Sequence, residues 1–285
     1  MPEDRARGSV FATDVAERSY AADLTPLGRA RVLAAAHTSW LCGGVGRTRS
    51  PGRSCNPSAG IALGRDSVAT QHLDRQPAEH LPQVTAWSAG GGERALGNAI
   101  LSRWPIAAHA QVALPVGDLA DESRVAEYAR IDAPGGALPL FTTHLTYGPG
   151  RSQLRMTQAR TLAEFVAGHA AGCAYPPVVT GDLNAEPGSD ELRLLGGLLT
   201  APAVPGLVLI DAWRYADPGD PGFTWDHRNG YQANSVIPDS RIDYVLVGLP
   251  RHGRGKVRSA ALAGAGPIED VWPSDHFAVV ADLQE

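Results

Sequence analysis

From Val68 onward, apolar runs of strand length recur along this chain, and several end in a residue able to move a proton or hold an ion. They are "NAILSRWPI" (98–106), "EYARID" (127–132), "LPLFTTHL" (138–145), "PPVVTGDL" (176–183), "RIDYVLVG" (241–248) and "HFAVVADL" (276–283). Gly, Pro, Asn and Asp bound them, as they bound strands. One clear helix lies among them, "SQLRMTQARTLAEFVAGHA" (152–170), with Leu154, Thr157, Ala159, Leu162, Phe165 and Val166 near a 3.6 period. A second, "SDELRLLGGLL" (189–199), has Ser189 at the N-cap and Leu192 as its third helical residue. Many strands and few helices predict two packed sheets with helices outside.

Upstream, "RVLAAAHTSWL" (31–41) reads as a strand or buried helix, and the Gly-, Pro-, Ser- and Arg-rich stretch 46–60 as a surface loop. "DSVATQHLDR" (66–75) reads as a short strand ending in Gln71, with His72 at the turn. Residues 1–28 form an extension and 29–285 one domain, with no internal repeat and no linker. A hydrophobic share of 44% supplies a sizeable core.

The formal net charge is −5 and Lys256 is the only lysine, so nothing in the overall charge draws the chain toward a polyanion. Long nucleic acid is therefore a disfavoured substrate. Cys42, Cys55 and Cys173 make no even framework and no metal-type spacing, which predicts a reducing compartment. No apolar h-region opens the chain and no run reaches the roughly 20 apolar residues that span a bilayer. The expectation is a cytoplasmic monomer.

Four strand ends carry the chemistry. "TTHL" places His144, "TGDLN" places Asp182 and Asn184, "RID" places Asp243, and "SDH" places Asp275 and His276. Asp182 and Asn184, two apart, share a face on extended backbone. A carboxylate beside an amide can take a proton from water and hold that water in place. Asp275 and His276, being adjacent, point to opposite sides, Asp275 toward a hard cation and His276 toward the reacting group, with Asp243 to orient the imidazole. This inventory fits metal-assisted phosphoester hydrolysis. Gly-x-Ser-x-Gly, Walker, Gly-x-Gly-x-x-Gly and His-Glu-x-x-His motifs are absent from the sequence.

The stretches "GNAILSRWPI", "TTHLTYGPGRSQLRMTQARTLAEFV", "VVTGDLNAEPGSDELRLL", "GFTWDHRNG", "RIDYVLV" and "SDHFAVVADL" together resemble the endonuclease/exonuclease/phosphatase superfamily, in family order over residues 90–285. The resemblance implies an α/β four-layer sandwich of the DNase I-like kind, two mixed β-sheets flanked by helices. It implies that Asp182 activates or aligns the attacking water, that Asn184 positions water or phosphate, and that Asp243 orients His276 at the scissile phosphate. Asp275 then touches the metal, and His144 stabilises charge on the phosphoryl oxygens.

The first third departs from the family pattern. Members open with a strand ending in Asn and a second ending in "QE", whose Glu is the principal Mg²⁺ ligand. Here "TSWLCGGVG" (38–46) aligns with the first, putting Trp40 for the Asn and Cys42 for a His, and "DSVATQHLDR" puts His72 for the Glu. Three readings stay open. Asp74 or Glu79 supplies the carboxylate, Asp74 keeping the parity of His72. Alternatively His72 is itself a ligand, favouring Mn²⁺ or Zn²⁺. In the third, the site holds no metal and works as a binding pocket or by acid/base chemistry, with Trp40 stacking on an organic substrate or packing in the core.

His109, His169, His227 and His252 read as solvated loop or helix-surface residues. Trp225 reads as packing beneath the site, Asp226 and Asn229 as loop residues, and Arg47, Arg49 and Arg53 as a solvated charged loop or an anion patch. The sequence thus points to a phosphodiesterase or phosphatase using Mg²⁺ or Mn²⁺ on a small organic or lipid-like phosphate. The alternative is a repurposed member that lacks the usual Mg²⁺ site.

Overall fold

The computed structural model describes the backbone of residues 29–35, 67–70 and 83–87 and, from residue 97 on, all but 103, 120–122 and 269. Trp40, Cys42, His72, Asp74, Glu79, Arg47, Arg49, Arg53 and the 1–28 extension lie outside the described residues.

Two six-stranded sheets carry the fold. The first holds β1 (Arg29–Ala35), β2 (Ser67–Thr70), β3 (Gln83–Trp87), β4 (Gly97–Leu101), β11 (Val257–Ala263) and β12 (Ala278–Gln284), in the order β11-β12-β1-β2-β4-β3. The second holds β5 (Ile106–Leu114), β6 (Arg124–Ala133), β7 (Gly136–His144), β8 (Val178–Asp182), β9 (Leu209–Asp211) and β10 (Asp243–Gly248), in the order β5-β6-β7-β8-β10-β9. Each sheet has one parallel pair at its centre, β1 with β2 and β7 with β8, and antiparallel pairs elsewhere. Strand order and pairing sense therefore repeat between the sheets, a duplication not visible as a sequence repeat.

Period-two alternation separates two cores. Leu138, Leu140, Val178, Val245 and Val247 face the first sheet, where they meet Ile100, Val279, Ala281 and Leu283. Phe141, Val179, Tyr244 and Leu246 face the other way, against Leu162 and Val166 of α1 (Ser152–His169) and Leu192 and Leu195 of α2 (Asp190–Gly196). The second sheet is thus buried on both faces, which is why its strands read as near-continuous apolar runs.

Ser189 caps α2 by accepting from the Leu192 N–H at 3.4 Å, as expected, and Gly197 closes it in the left-handed conformation at φ 62°. Two expectations need correction. "NAILSRWPI" is not one strand: β4 ends at Leu101, and after Pro105 the chain begins β5 in the opposite sheet. The Pro105 carbonyl accepts from Asp132, but proline has no N–H to continue a ladder. The buried stripe of α1 also differs: Thr157 is exposed and Leu154 half-buried, while Arg155 and Gln158 are buried. Polar partners below make that burial tolerable.

Candidate active site

Register builds the site. His144 closes β7 opposite Asp182 of β8, and Asp182 stands opposite Asp243 of β10, so the three form one row across the sheet. Parity sends all three inward, because His144 shares its face with Leu138 and Leu140, Asp182 with Val178, and Asp243 with Val245 and Val247. The row lies at the end of the sheet, where the apolar core stops.

The first sheet supplies the opposing groups. His276 sits two residues before β12, whose first strand residues pair near the end of β1, Ala34 opposite Val279. Thr70 at the end of β2 lies opposite Ala35, at this same end of the sheet. The Phe277 N–H donates to the Thr224 carbonyl and the His276 N–H to Ser274 Oγ, which fixes the approach to β12.

His276 Nδ1 lies 2.8 Å from Asp243 Oδ2, and His144 Nε2 lies 3.4 Å from Asp182 Oδ2. All four side chains are buried. Ligand atoms of Asp182, Asp243 and His276 lie within 4.8 Å of one another. Asp243 Oδ1 is buried and has no hydrogen-bond partner among the described residues.

Burial pushes the Asp182 carboxyl up to about 7, and the Asp243 charge adds to the rise. For His276 burial pulls down, but Asp243, Asp182 and Asp275 outweigh it and push the imidazole up to about 9. A carboxyl raised to about 7 can exchange a proton near neutrality.

Asn184 corrects the expectation of a shared extended face. Its φ is 47°, its N–H donates to Asp182 Oδ1 at 2.7 Å, and its side-chain amide donates to the Leu145 carbonyl at 3.0 Å. Asp182 Oδ1 thus closes an Asx turn on the Asn184 N–H, which the left-handed tolerance of Asn permits, and the Asn184 amide ties the loop after β8 to the loop after β7. The Tyr244 hydroxyl, 2.7 Å from the Ala185 carbonyl, holds the same loop from below.

His144, Asp182, Asn184, Asp275 and His276 all line one cavity of about 830 Å³. Asp275 and His276 reach it together rather than serving opposite sides: His276 is buried on Asp243, while half-buried Asp275 takes the Ser274 hydroxyl at 3.4 Å. Trp225 lines the cavity and meets the His276 ring edge-on at 5.0 Å between centroids, so its role as packing is confirmed but at the wall rather than beneath. Its indole N–H is buried without an acceptor among the described residues.

Asp226 and Asn229 are structural. Asp226 holds the Arg228 guanidinium, and Asn229 donates to the Ser274 carbonyl just before Asp275. His227 is not simply solvated, since it bridges Asp239 and the Ser235 carbonyl. His169 packs its ring against Phe165 and Tyr128, whereas His109 and His252 are exposed, His109 on strand β5.

Sequence reasoning missed Arg124, Tyr147, Arg155, Glu186 and Glu191 in the cavity lining. Arg155 Nε donates to Glu191 at 3.0 Å, and its Nη1 to the Thr146 and Gly148 carbonyls. Gln158 donates to Thr146 Oγ1 and accepts from the Thr146 N–H. Together they clamp the loop that follows His144 to the helix that follows Asp182. The available signal was an Arg and a Gln on the inward arc of an otherwise apolar helix.

The family model of the endonuclease/exonuclease/phosphatase family matches residues 30–276. The chain belongs to that family. Its fold is a DNase I-like α/β sandwich, the fold of a family of phosphoester hydrolases. This family member is similar to truncated Caenorhabditis elegans TDP2, at 20% identity over 77% of this chain and 84% of that one, TM-score 0.56. It is also similar to D. rerio TDP2 complexed with a single-strand DNA product, at 20% identity over 77% and 86% of the two chains, TM-score 0.58. The human Nocturnin catalytic domain with a bound sulfate anion matches at 16% identity over 91% and 96%, TM-score 0.60. At such identities these structures speak to the fold alone. No curated protein sequence matches the chain.

Proposed function

We propose that this family member hydrolyses a phosphoester by metal-assisted attack of water, with His144, Asp182, Asn184, Asp243, Asp275 and His276 as its working residues. The observation that carries this is the buried row His144, Asp182 and Asp243 facing His276 at the mouth of one cavity.

Asp182 takes a proton from the attacking water as the new P–O bond forms and the bond to the departing alcohol breaks. Because Nδ1 of His276 is engaged by Asp243, the ring meets a phosphoryl oxygen through Nε2. His144 adds a second donor for charge developing on phosphorus-bound oxygens. Asn184 is a positioning residue, keeping the Asp182 carboxylate and the His144 loop in mutual register.

The donor set fits a hard divalent cation. Asp182, Asp243 and His276 bring ligand atoms within 4.8 Å of one another, Asp275 lines the same cavity as Asp182, and Asp243 Oδ1 is a buried acceptor without a partner among the described residues. With Asp182 kept as the base and Asp243 Oδ2 committed to His276, Asp275 and Asp243 Oδ1 are the oxygen donors that would hold the ion. Such an ion, Mg²⁺ or Mn²⁺, supplies Lewis-acid stabilisation of the phosphate when bound.

A small organic or lipid-like ester is favoured over long nucleic acid by the lining. Tyr147, Pro149, Trp225, Ile237 and Ile242 give it apolar walls. Among the described residues its arginines are Arg124 and Arg155, with Arg155 committed to Glu191, while Asp182, Asp275, Glu186 and Glu191 bring four carboxylates. A polyanion finds little to neutralise it there.

Calorimetric titration of metal-stripped protein with Mn²⁺ and Mg²⁺ tests the metal half of this reading. Saturable binding that Asp275→Ala abolishes is expected. Absence of binding up to about 10 mM metal, a free energy weaker than roughly 3 kcal/mol, contradicts it.

A further inference from the structure

A second hollow, of about 150 Å³, lies on the far side of α2 from the catalytic cavity. Gly188, Ser189 and Glu191 line the cavity, whereas Pro187, Leu192 and Arg193 line the hollow. Neither the family's chemistry nor the catalytic row uses it.

Three guanidiniums meet there, those of Arg193, Arg214 and Arg241, against one lining carboxylate, Asp211. Both Asp211 oxygens are already engaged, Oδ1 by the Trp213 N–H at 2.9 Å and Oδ2 by Arg241 Nη1 at 2.7 Å. Arg241 is 8% exposed, with its guanidinium carbon 5.0 Å from the Tyr244 ring centre and 5.8 Å from that of Trp213. Its Nε–H is buried and has no acceptor among the described residues. An unmet buried donor on a guanidinium already fixed between two rings is a costly arrangement unless a ligand shares the charge.

Arg214 is exposed and makes no ion pair among the described residues, and Arg193 is half-exposed in a 3.3 Å surface pair with Asp190. Such exposed pairs exchange readily for a better partner. In a chain of net charge −5 this concentration of positive charge is local and specific. At the lip stand Leu198 and Leu199, 55% and 72% exposed, consecutive large apolar side chains with no core to enter.

We propose that this hollow binds a small anionic amphiphile, its carboxylate or phosphate head between Arg193, Arg214 and Arg241 and its hydrocarbon tail along Leu198 and Leu199. A volume of 150 Å³ equals about five waters at their liquid share, enough for the head and its first methylenes. The tail then lies in the groove rather than in a tunnel. Because α2 carries Glu191 and its Arg155 clamp while its Leu192, Arg193 and Gly196 line the hollow, an occupant presses on the element that fixes one wall of the catalytic cavity.

The test is calorimetric titration of the full chain with sodium octanoate and, separately, sodium acetate. Octanoate is expected to bind at least about tenfold more tightly than acetate, because it adds apolar surface at the leucines. Arg214→Glu, a change at an exposed position, is expected to weaken both ligands at least about tenfold. Leu199→Ser is expected to weaken octanoate while leaving acetate unchanged. Octanoate binding no tighter than acetate, or binding that survives Arg214→Glu, overturns the proposal. So does loss of acetate binding in Leu199→Ser.

Discussion

Asp243 and His276 form a buried pair, 2.8 Å apart, although they lie 33 residues apart in the chain and Asp243 belongs to the second sheet while His276 leads into the first. The hydrogen bond fixes which ring nitrogen points at the cavity. Asp243→Asn keeps the volume but cannot hold the imidazolium by charge. Its kcat on bis(4-nitrophenyl) phosphate is expected to fall by roughly 10³–10⁴ with KM little changed, as for other orienting carboxylates. An unchanged kcat, or a fall in affinity alone, contradicts the assignment of Asp243 as the positioning residue.

Arg155 and Glu191 are another buried pair, with side chains 6% and 1% exposed. Removing one partner strands the other charge, so Glu191→Gln and Arg155→Met are each expected to cost about 3–5 kcal/mol in urea denaturation. The double change Arg155→Met with Glu191→Leu removes both charges and is expected to recover much of that loss. Additive losses in the double variant contradict the claim that an uncompensated charge is the cause.

The loop that carries Ile237 and Ser240 to the cavity wall is pinned by His227 and Asp239, 2.6 Å apart. The Ser235 carbonyl and then the Asp239 carboxylate raise His227 above its ordinary 6.5, while the His227 N–H groups lower Asp239 below 3.8. The contribution of His227 is complete below 6.5 and is lost as pH rises through its raised value; that of Asp239 is complete above 3.8 and is lost as pH falls through its lowered value. The pin is therefore strongest in the mildly acidic window between. Proton NMR titration of the His227 ring is expected to show a midpoint above 6.5 that falls back toward it in Asp239→Asn. The same midpoint in both proteins contradicts the pin.

Strands that run between two apolar layers were legible because their side chains need no polar partner: β7, β8 and β10 were all visible from their apolar runs and their terminal His144, Asp182 and Asp243. β5 and β11 were not, since alternating small and exposed residues at sheet edges carry little pattern. The site residues were legible as types at strand ends, but their alignment in one row is a matter of register, which a single sequence does not display. Arg155 and Gln158 hid inside a helix because a buried polar residue looks like an exposed one until its partners, here Glu191 and Thr146, are placed. Asn184 was misplaced because extended backbone was assumed through a turn that its positive φ creates.

Asn184→Ala removes the side-chain donor to Leu145 and leaves a non-glycine, non-Asx residue at φ 47°. The strain and the lost hydrogen bond are each of order 1 kcal/mol, so a stability loss of about 1–3 kcal/mol is expected in urea denaturation. Asn184→Gly is expected to be milder, since it relieves the strain. Equal losses in the two variants contradict the left-handed turn as the reason for Asn.

The most direct test of the central claim is the rate of bis(4-nitrophenyl) phosphate hydrolysis with Mn²⁺, measured side by side for the wild-type chain and His276→Ala. Metal-dependent release of 4-nitrophenol that falls by at least about 10³ in His276→Ala is the expected result. Equal rates in the two proteins, or a wild-type rate that a chelator leaves unchanged, contradict it.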